Sequence, residues 1–294
     1  MELSNLEKIY EALVNKTDEI KKETDLSRIE SLSRALLEVE VDGTKAEKRK
    51  AFQFAYLKQL KDEAIQPNHQ LTPDVIGYTI GYINNVLNDN KEVSLLDVGS
   101  GTGHLSMTLS ELNPELQLNG VEIDSTLAEL NANLCEFLET HMKIYPQNII
   151  EPNFIETVDT AVGDLPVGYY PVQVEGYKTA FKEDNSFAHL LMIEAGMNKV
   201  KSDGIGIFTV PSNILTENQE TLKKYIKEDV TLLMFLNLPR TIFKDEKSQK
   251  SIIVLKKGHE SLQNKDVLIG DIPDFKDETS MKNFLRTIEE WNNK

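Results

Sequence analysis

Residues 95–104, Leu95-Leu96-Asp97-Val98-Gly99-Ser100-Gly101-Thr102-Gly103-His104, set an acid ahead of three glycines at every other position. Glycine lets a chain turn through positive φ and lets a ligand lie against bare main chain. A dinucleotide fingerprint needs G-x-G-x-x-G. Its third glycine position holds His104 when counted from Gly99 and Ser106 when counted from Gly101, so the pyrophosphate pattern fails. The loop suits a cofactor without a pyrophosphate, whose amino-acid end packs on backbone: S-adenosyl-L-methionine. Glu122 follows Gly103 by nineteen residues (122 minus 103), in Val121-Glu122-Ile123-Asp124. A carboxylate at that distance can accept both hydroxyls of a ribose. Alone it also reads as an ordinary acidic strand end; paired with the loop it points to an adenosine. Asn148, in YPQNIIEP, stands where a polar side chain can bond an adenine edge.

Such residues converge only if strands end together and helices begin there. From residue 93 the apolar runs VSLLDVG, LQLNGVEI, DTAVGDL, GIGIFTV, TLLMFLNL and SIIVLKK alternate with helix-like segments at 129–139, 187–200 and 217–227. That alternation predicts a mainly parallel sheet covered on both faces, with ligands at the carboxyl ends of its strands. A last helix is expected over 279–291. The first 65 residues read as helix: Leu6, Ile9, Tyr10 and Leu13 share one face, and Leu26, Ile29, Leu32, Leu36 and Leu37 another, with Thr24 and Asp25 as caps. After a turn at Val41–Thr44, residues 44–61 carry Lys45, Lys48, Arg49, Lys50, Lys58 and Lys61 among Phe52, Phe54 and Tyr56. Two readings stand, a nucleic-acid or partner surface and a helix with a solvated basic face and core aromatics. Residues 66–92 join the two regions.

The run Val158-Asp159-Thr160-Ala161-Val162-Gly163-Asp164-Leu165-Pro166-Val167-Gly168-Tyr169-Tyr170-Pro171 is a strand ending in an acid and a proline. It resembles the (N/D/S)-P-P-(Y/F) motif of the N6-adenine DNA methyltransferases, above all the modification subunits of type I restriction systems. His69-Gln70-Leu71-Thr72-Pro73-Asp74-Val75 resembles the G-Q-x-x-T-P-x-x-V segment ahead of their cofactor loop, and residues 187–215 and 236–258 resemble their later elements in order. The likeness covers most of residues 66–257. D-L-P-V-G-Y-Y-P is most similar to the stand-alone YtxK-like branch, which lacks a clear target-recognition domain. The resemblance implies an α/β fold, a Rossmann-like seven-stranded mainly parallel methyltransferase sheet over 66–294 with an N-terminal helical region over 1–65. It implies S-adenosyl-L-methionine held by Thr72, Pro73, Asp97, Gly99, Gly101, Gly103, Glu122, Ile123, Asn148 and Asp164, and a catalytic loop of Asp164, Leu165 and Pro166.

The chemistry of that motif is specific. The exocyclic amine of adenine is a poor nucleophile because its lone pair is delocalised into the ring. A side-chain oxygen at Asp164 and the carbonyl of Leu165 can each accept one of its N–H groups and favour a pyramidal nitrogen, while Pro166 stiffens the loop. Two departures bear on substrate. Leu165 replaces a proline, which leaves the carbonyl in place; Val167 replaces the aromatic that stacks on a flipped base. Tyr169 or Tyr170 can supply that face, or both can simply pack the loop.

The 294-residue composition is that of a globular chain, and the lone Cys135 fits a reducing compartment, so a cytoplasmic location is expected. No export signal or membrane-length apolar run is read, and the histidines show no metal-ligand spacing. Lys and Arg number 32 against 48 acids, a net charge of −16, which counts against an autonomous duplex binder. The stretch from Arg240 to Lys257, with Lys244, Lys247, Lys250 and Lys256, reads as a substrate groove or a solvated hairpin. The expected function is methyl transfer from S-adenosyl-L-methionine to adenine N6, with DNA as substrate partner. RNA or a protein amide is the alternative acceptor, and a non-catalytic cofactor-binding module the alternative class. A separate specificity subunit and a homodimer through the N-terminal helices are compatible with the pattern, and no membrane partner is expected.

Overall fold

A computed structural model describes residues 3–62, 69–89, 92–217, 219–245, 248–258 and 266–294. Glu246, Lys247 and His259 lie outside the described residues. Three helices open the chain, α1 (Asn5–Glu23), α2 (Arg28–Glu38) and α3 (Lys45–Asp62). Ser4 and Glu7 form a capping box at α1, and Ser27 and Glu30 form one at α2. The expected caps Thr24 and Asp25 are not used for α2: Glu30 stands three residues after Ser27, so that pair satisfies two orphan donors at once. Thr24 instead closes α1, its hydroxyl donating to the Ile20 carbonyl.

The rest alternates. After α4 (Asp74–Leu87) come β1 (Ser94–Val98), α5 (His104–Leu112), β2 (Gln117–Val121), α6 (Ser125–Phe137), β3 (Met142–Tyr145) and β4 (Val158–Asp164). Then follow α7 (Ala188–Lys199), β5 (Val200–Pro211), α8 (Ile214–Glu217), α9 (Gln219–Glu228), β6 (Val230–Asn237), β7 (Lys250–Lys257), β8 (Leu268–Asp271) and α10 (Glu278–Asn292). The strands form one sheet in the order β3-β2-β1-β4-β5-β7-β6-β8, and β7 alone runs antiparallel to its neighbours. That is eight strands, one more than the seven expected. The apolar-run pattern missed β3 and β8, which are four residues long, half-exposed and at the two edges.

Each face of the sheet has its own apolar layer. Leu95, Leu118 and Ile207 pack with α4, α5, α6 and α10, and the neighbouring Leu96, Val98 and Phe208 pack with α7 and α9. This is the alternation of a strand buried on both faces. The N-terminal helices form a further layer, α2 over α6 and α3 over α5. Their apolar residues Ile9, Leu13, Leu32, Phe52 and Tyr56 belong to the same hydrophobic cluster as Leu95 and Leu118, so these faces are occupied within the chain. No helix among the described residues is long and apolar enough to cross a membrane.

Candidate active site

The site lies where the order reverses, between β1 with β2 on one side and β4 on the other, at their carboxyl ends. Gly99, Gly101 and Gly103 take φ of 73°, 52° and 79°, the left-handed region open to glycine at little cost. Gly103 caps α5, and a Cβ there would come within 2.1 Å of Asn131 Oδ1. At Gly101 a Cβ would meet nothing within 4 Å, so the tip of the loop faces open space.

Glu122 closes the loop from beneath. Its Oε2 accepts the Gly101 N–H at 2.7 Å and its Oε1 the Asp124 N–H at 2.9 Å. The residue is only 8 % exposed, and burial raises its pKa despite those bonds. Each oxygen retains a second lone pair, the acceptor set that two ribose hydroxyls require. Ile123 beside it is an exposed apolar surface. Asp97 sits behind the loop, 1 % exposed, its carboxylate accepting the Ser106 hydroxyl at 2.7 Å. Burial first, and then the charges of Glu122 and Asp164, push its pKa up to about 7. Three carboxylates thus share one electrostatic field beneath an open glycine loop. That combination fits a cationic nucleoside such as a sulfonium better than a pyrophosphate, which three carboxylates would repel.

Asp164 ends β4 beside Thr209 of β5, and the Leu165 N–H continues the ladder to the Thr209 carbonyl at 3.2 Å. The Thr72 hydroxyl donates to Asp164 Oδ2 at 3.1 Å, tying the Thr72–Pro73 segment to the D-L-P loop from 92 residues away in sequence. The other oxygen has a partner from the basic stretch between Arg240 and Lys257. Lys250 Nζ stands 2.6 Å from Asp164 Oδ1 and 3.4 Å from the Leu165 carbonyl oxygen. Antiparallel pairing delivers it: Lys250 opens β7 opposite Pro211, the last residue of β5. Of the two readings of that stretch, Lys250 follows the groove rather than the solvated hairpin, and no spacing between positions 164 and 250 signals its contact with Asp164.

The loop beyond Pro166 presents aromatic faces. Tyr169, 64 % exposed, stacks on Phe187 with ring centroids 4.5 Å apart and planes 22° apart, and Phe181 meets Phe187 edge-on at 5.6 Å. Val167 is equally exposed. Tyr170 turns inward, its hydroxyl accepting the Asn148 amide N–H at 2.7 Å, so the candidate adenine-edge residue is joined to a candidate substrate residue. His189 is a core residue of α7. It lies buried 5.3 Å from the Phe187 ring, with both nitrogens unpartnered, and burial and then the charge of Lys250 lower its pKa to about 4.

A family model for N-6 DNA methylase matches residues 67–291. The chain belongs to the N-6 DNA methylase family. It is 36 % identical to the uncharacterized protein YtxK of Bacillus subtilis strain 168, over 99 % of this chain and 92 % of that protein. A crystal structure of a putative class I S-adenosylmethionine-dependent methyltransferase from Listeria monocytogenes superposes with a TM-score of 0.88 at 28 % identity, covering 98 % of this chain and 99 % of that one. The methyltransferase subunit of a type I restriction-modification system from Streptococcus thermophilus shares the fold, with a TM-score of 0.68 at 13 % identity over 97 % of this chain and 73 % of that one. S-adenosyl-L-methionine is the cofactor of this methylase family.

In this member of the N-6 DNA methylase family the glycine loop is also buttressed from the N-terminal helices. Arg49 of α3 is buried and donates to Glu111 at 2.6 and 3.0 Å and to Asp74 at 3.2 Å. Asp74 Oδ1 also meets His104 Nε2 at 2.8 Å, and His104 follows Gly103 directly. Burial works against the Asp74 charge, but the bonds from His104 and Lys50 and the charge of Arg49 hold its carboxyl well below the usual range. The basic run of α3 therefore follows neither expectation uniformly. Phe52 and Tyr56 are core and Phe54 is exposed, while Arg49 is a buried link to the glycine loop through Asp74 and His104.

Proposed function

We propose that this protein transfers a methyl group from S-adenosyl-L-methionine to the exocyclic N6 amine of adenine in DNA. One observation carries the reading: a single nitrogen, Lys250 Nζ, already lies within reach of both the Asp164 carboxylate and the Leu165 carbonyl, so the pair is spaced to hold an amine. On this reading Asp164 and the Leu165 carbonyl draw the two N–H groups and direct the nitrogen lone pair away from the ring. Pro166 holds the carbonyl in place, and the proton released on transfer leaves by way of the Asp164 carboxylate. When bound, the cofactor supplies an electrophilic methyl on a sulfonium.

The cofactor roles assigned to this chain are these. Gly99, Gly101 and Gly103 form the cradle, Glu122 takes the ribose, and Ile123 takes a face of the adenine; Asn148, whose amide N–H groups go to Glu151 and Tyr170 and whose oxygen accepts the Ile150 N–H, offers the adenine edge the second lone pair of that oxygen. Thr72, Pro73 and Asp164 line the methyl side, and Asp97 stabilises the positive charge from behind the loop. Tyr169, backed by Phe187, offers the stacking face missing at Val167, and Tyr170 shapes the loop through Asn148. We assign residues 66–294 to the methyltransferase domain and 1–65 to a helical region that supports it, in a cytoplasmic protein. The net charge of −16 favours a basic partner that brings the DNA. Val167 supports a second reading, an RNA base or a protein amide, because an acceptor that is not flipped from a duplex has less need of an aromatic there.

Calorimetric titration with S-adenosyl-L-methionine, followed by tritiated methyl transfer to unmethylated genomic DNA, tests the proposal. Binding that is lost in Gly101→Asp, with label on adenine that is lost in Asp164→Ala, is the expected result. Absence of binding in folded protein overturns the cofactor assignment. Binding with label that resists DNase but yields to RNase or protease moves the acceptor to the second reading.

A further inference from the structure

Among the described residues, Lys250 is the side chain that bonds both acceptors of the pair and that the proposed chemistry does not use. Its Nζ makes a 2.6 Å ion pair with Asp164 Oδ1 and lies 3.4 Å from the Leu165 carbonyl oxygen, and its side chain is 22 % exposed. Thr72 bonds Asp164 Oδ2, and Lys250 spans the other oxygen and the Leu165 carbonyl, the pair that the proposed chemistry gives to a target amine. Two nitrogens cannot occupy one position between the same two oxygens. From this geometry we infer, resting on the methyltransferase reading above, that Lys250 is a specificity-determining residue: its ammonium holds the place of the target amine, and a substrate enters by displacing it.

The consequence is a threshold for entry. A tethered group competes at an effective concentration of roughly millimolar or more, whatever the dilution of the protein. Water, ammonia or a small free amine brings little binding energy of its own and does not displace a charge-assisted contact. An amine carried by a larger molecule can draw on its remaining contacts, such as stacking on Tyr169, to move the lysine aside. The ion pair also offsets one of the three carboxylates of the site. A cationic cofactor entering that field weakens the hold on the ammonium, so the lysine is easiest to displace once the cofactor is bound.

The test uses the full chain with S-adenosylhomocysteine bound, its binding first verified by calorimetry. Adenosine and purine riboside, which lacks the exocyclic amine, are titrated into wild type, Lys250→Met and Lys250→Arg. The expected result is adenosine binding at least tenfold tighter to Lys250→Met than to wild type, with Lys250→Arg close to wild type and purine riboside indifferent to all three. In parallel, brief acetylation read by mass spectrometry should label Lys250 in the free protein at least tenfold more slowly than the exposed Lys143. Adenine-containing DNA or adenosine should then raise the Lys250 rate at least fivefold, and purine riboside should leave it unchanged. Equal adenosine affinity in wild type and Lys250→Met, adenosine binding to neither, or rapid labelling of Lys250 in the free protein overturns the inference while the cofactor site stands. Loss of S-adenosylhomocysteine binding in folded protein removes the methyltransferase reading and this inference with it.

Discussion

The two halves of the candidate site are built differently. The cofactor half, Gly99 to Gly103 with Glu122, is held by backbone: positive-φ glycines, main-chain N–H groups on one carboxylate, and a helix cap. The acceptor half, Asp164 to Tyr170, is held by side chains arriving from distant segments, Thr72, Lys250, Asn148 and Phe187. The first half keeps the pattern of the family closely and the second departs from it at Leu165 and Val167. A backbone cradle leaves few residues free to vary, whereas an acceptor site assembled from side chains can be retuned one residue at a time.

Four measurements probe that contrast. The largest effect is expected at Arg49, which supports the cofactor half through Asp74 and His104. Arg49→Met leaves Glu111 and Asp74 short of their buried partner and should cost about 3–5 kcal/mol in denaturant unfolding. A loss below 1 kcal/mol would mean that the N-terminal helices do not brace the loop. Next, Asp164→Ala should lower methyl transfer by about 10²–10³-fold, the order seen when one preorganised polar group is removed from a transition-state site. Cofactor affinity should stay within a few-fold, and a comparable loss of affinity would show that the two halves are not separable. Tyr169→Ala should weaken substrate binding by about 1–3 kcal/mol if its face stacks on a base. Rescue by Tyr169→Phe separates stacking from hydroxyl chemistry.

The smallest effect concerns pH. Burial, then Glu122 and Asp164, place the Asp97 pKa at about 7, above its ordinary value. A cation favours the ionised form, so cofactor affinity should fall as pH drops from 8 to 6, by at most tenfold per unit. The stability contribution of the free protein has the opposite sense. The folded state binds the Asp97 proton more tightly than the unfolded state, so that contribution is fully present below about pH 4 and is lost as pH rises through 7. Asp97→Asn should flatten both profiles, as read by calorimetry and thermal unfolding across this range.

Much of this was legible in residue order. The six apolar runs became β1, β2, β4, β5, β6 and β7, and the segments between them became α6, α7 and α9, because strands buried on both faces must be continuously apolar. Edge strands β3 and β8 escaped, since a short half-exposed strand carries little hydrophobic signal. The DxGxGxG loop and Glu122 were legible because their geometry is local, made by glycine conformations and one strand pairing. Asn131 against Gly103, Phe187 under Tyr169 and Arg49 against Asp74 had no counterpart in spacing.

Residue order therefore set the fold class, the glycine loop and the identity of the acid at the end of β4, all features that the chain makes within a few residues or through periodic burial. Only the tertiary structure decided what surrounds that acid. Register between β5 and β7 brings Lys250 to Asp164, and the packing of α3 against α5 brings Arg49 toward the glycine loop. Pairings between segments tens of residues apart depend on which strands and helices become neighbours, and that is settled by burying the whole core at once.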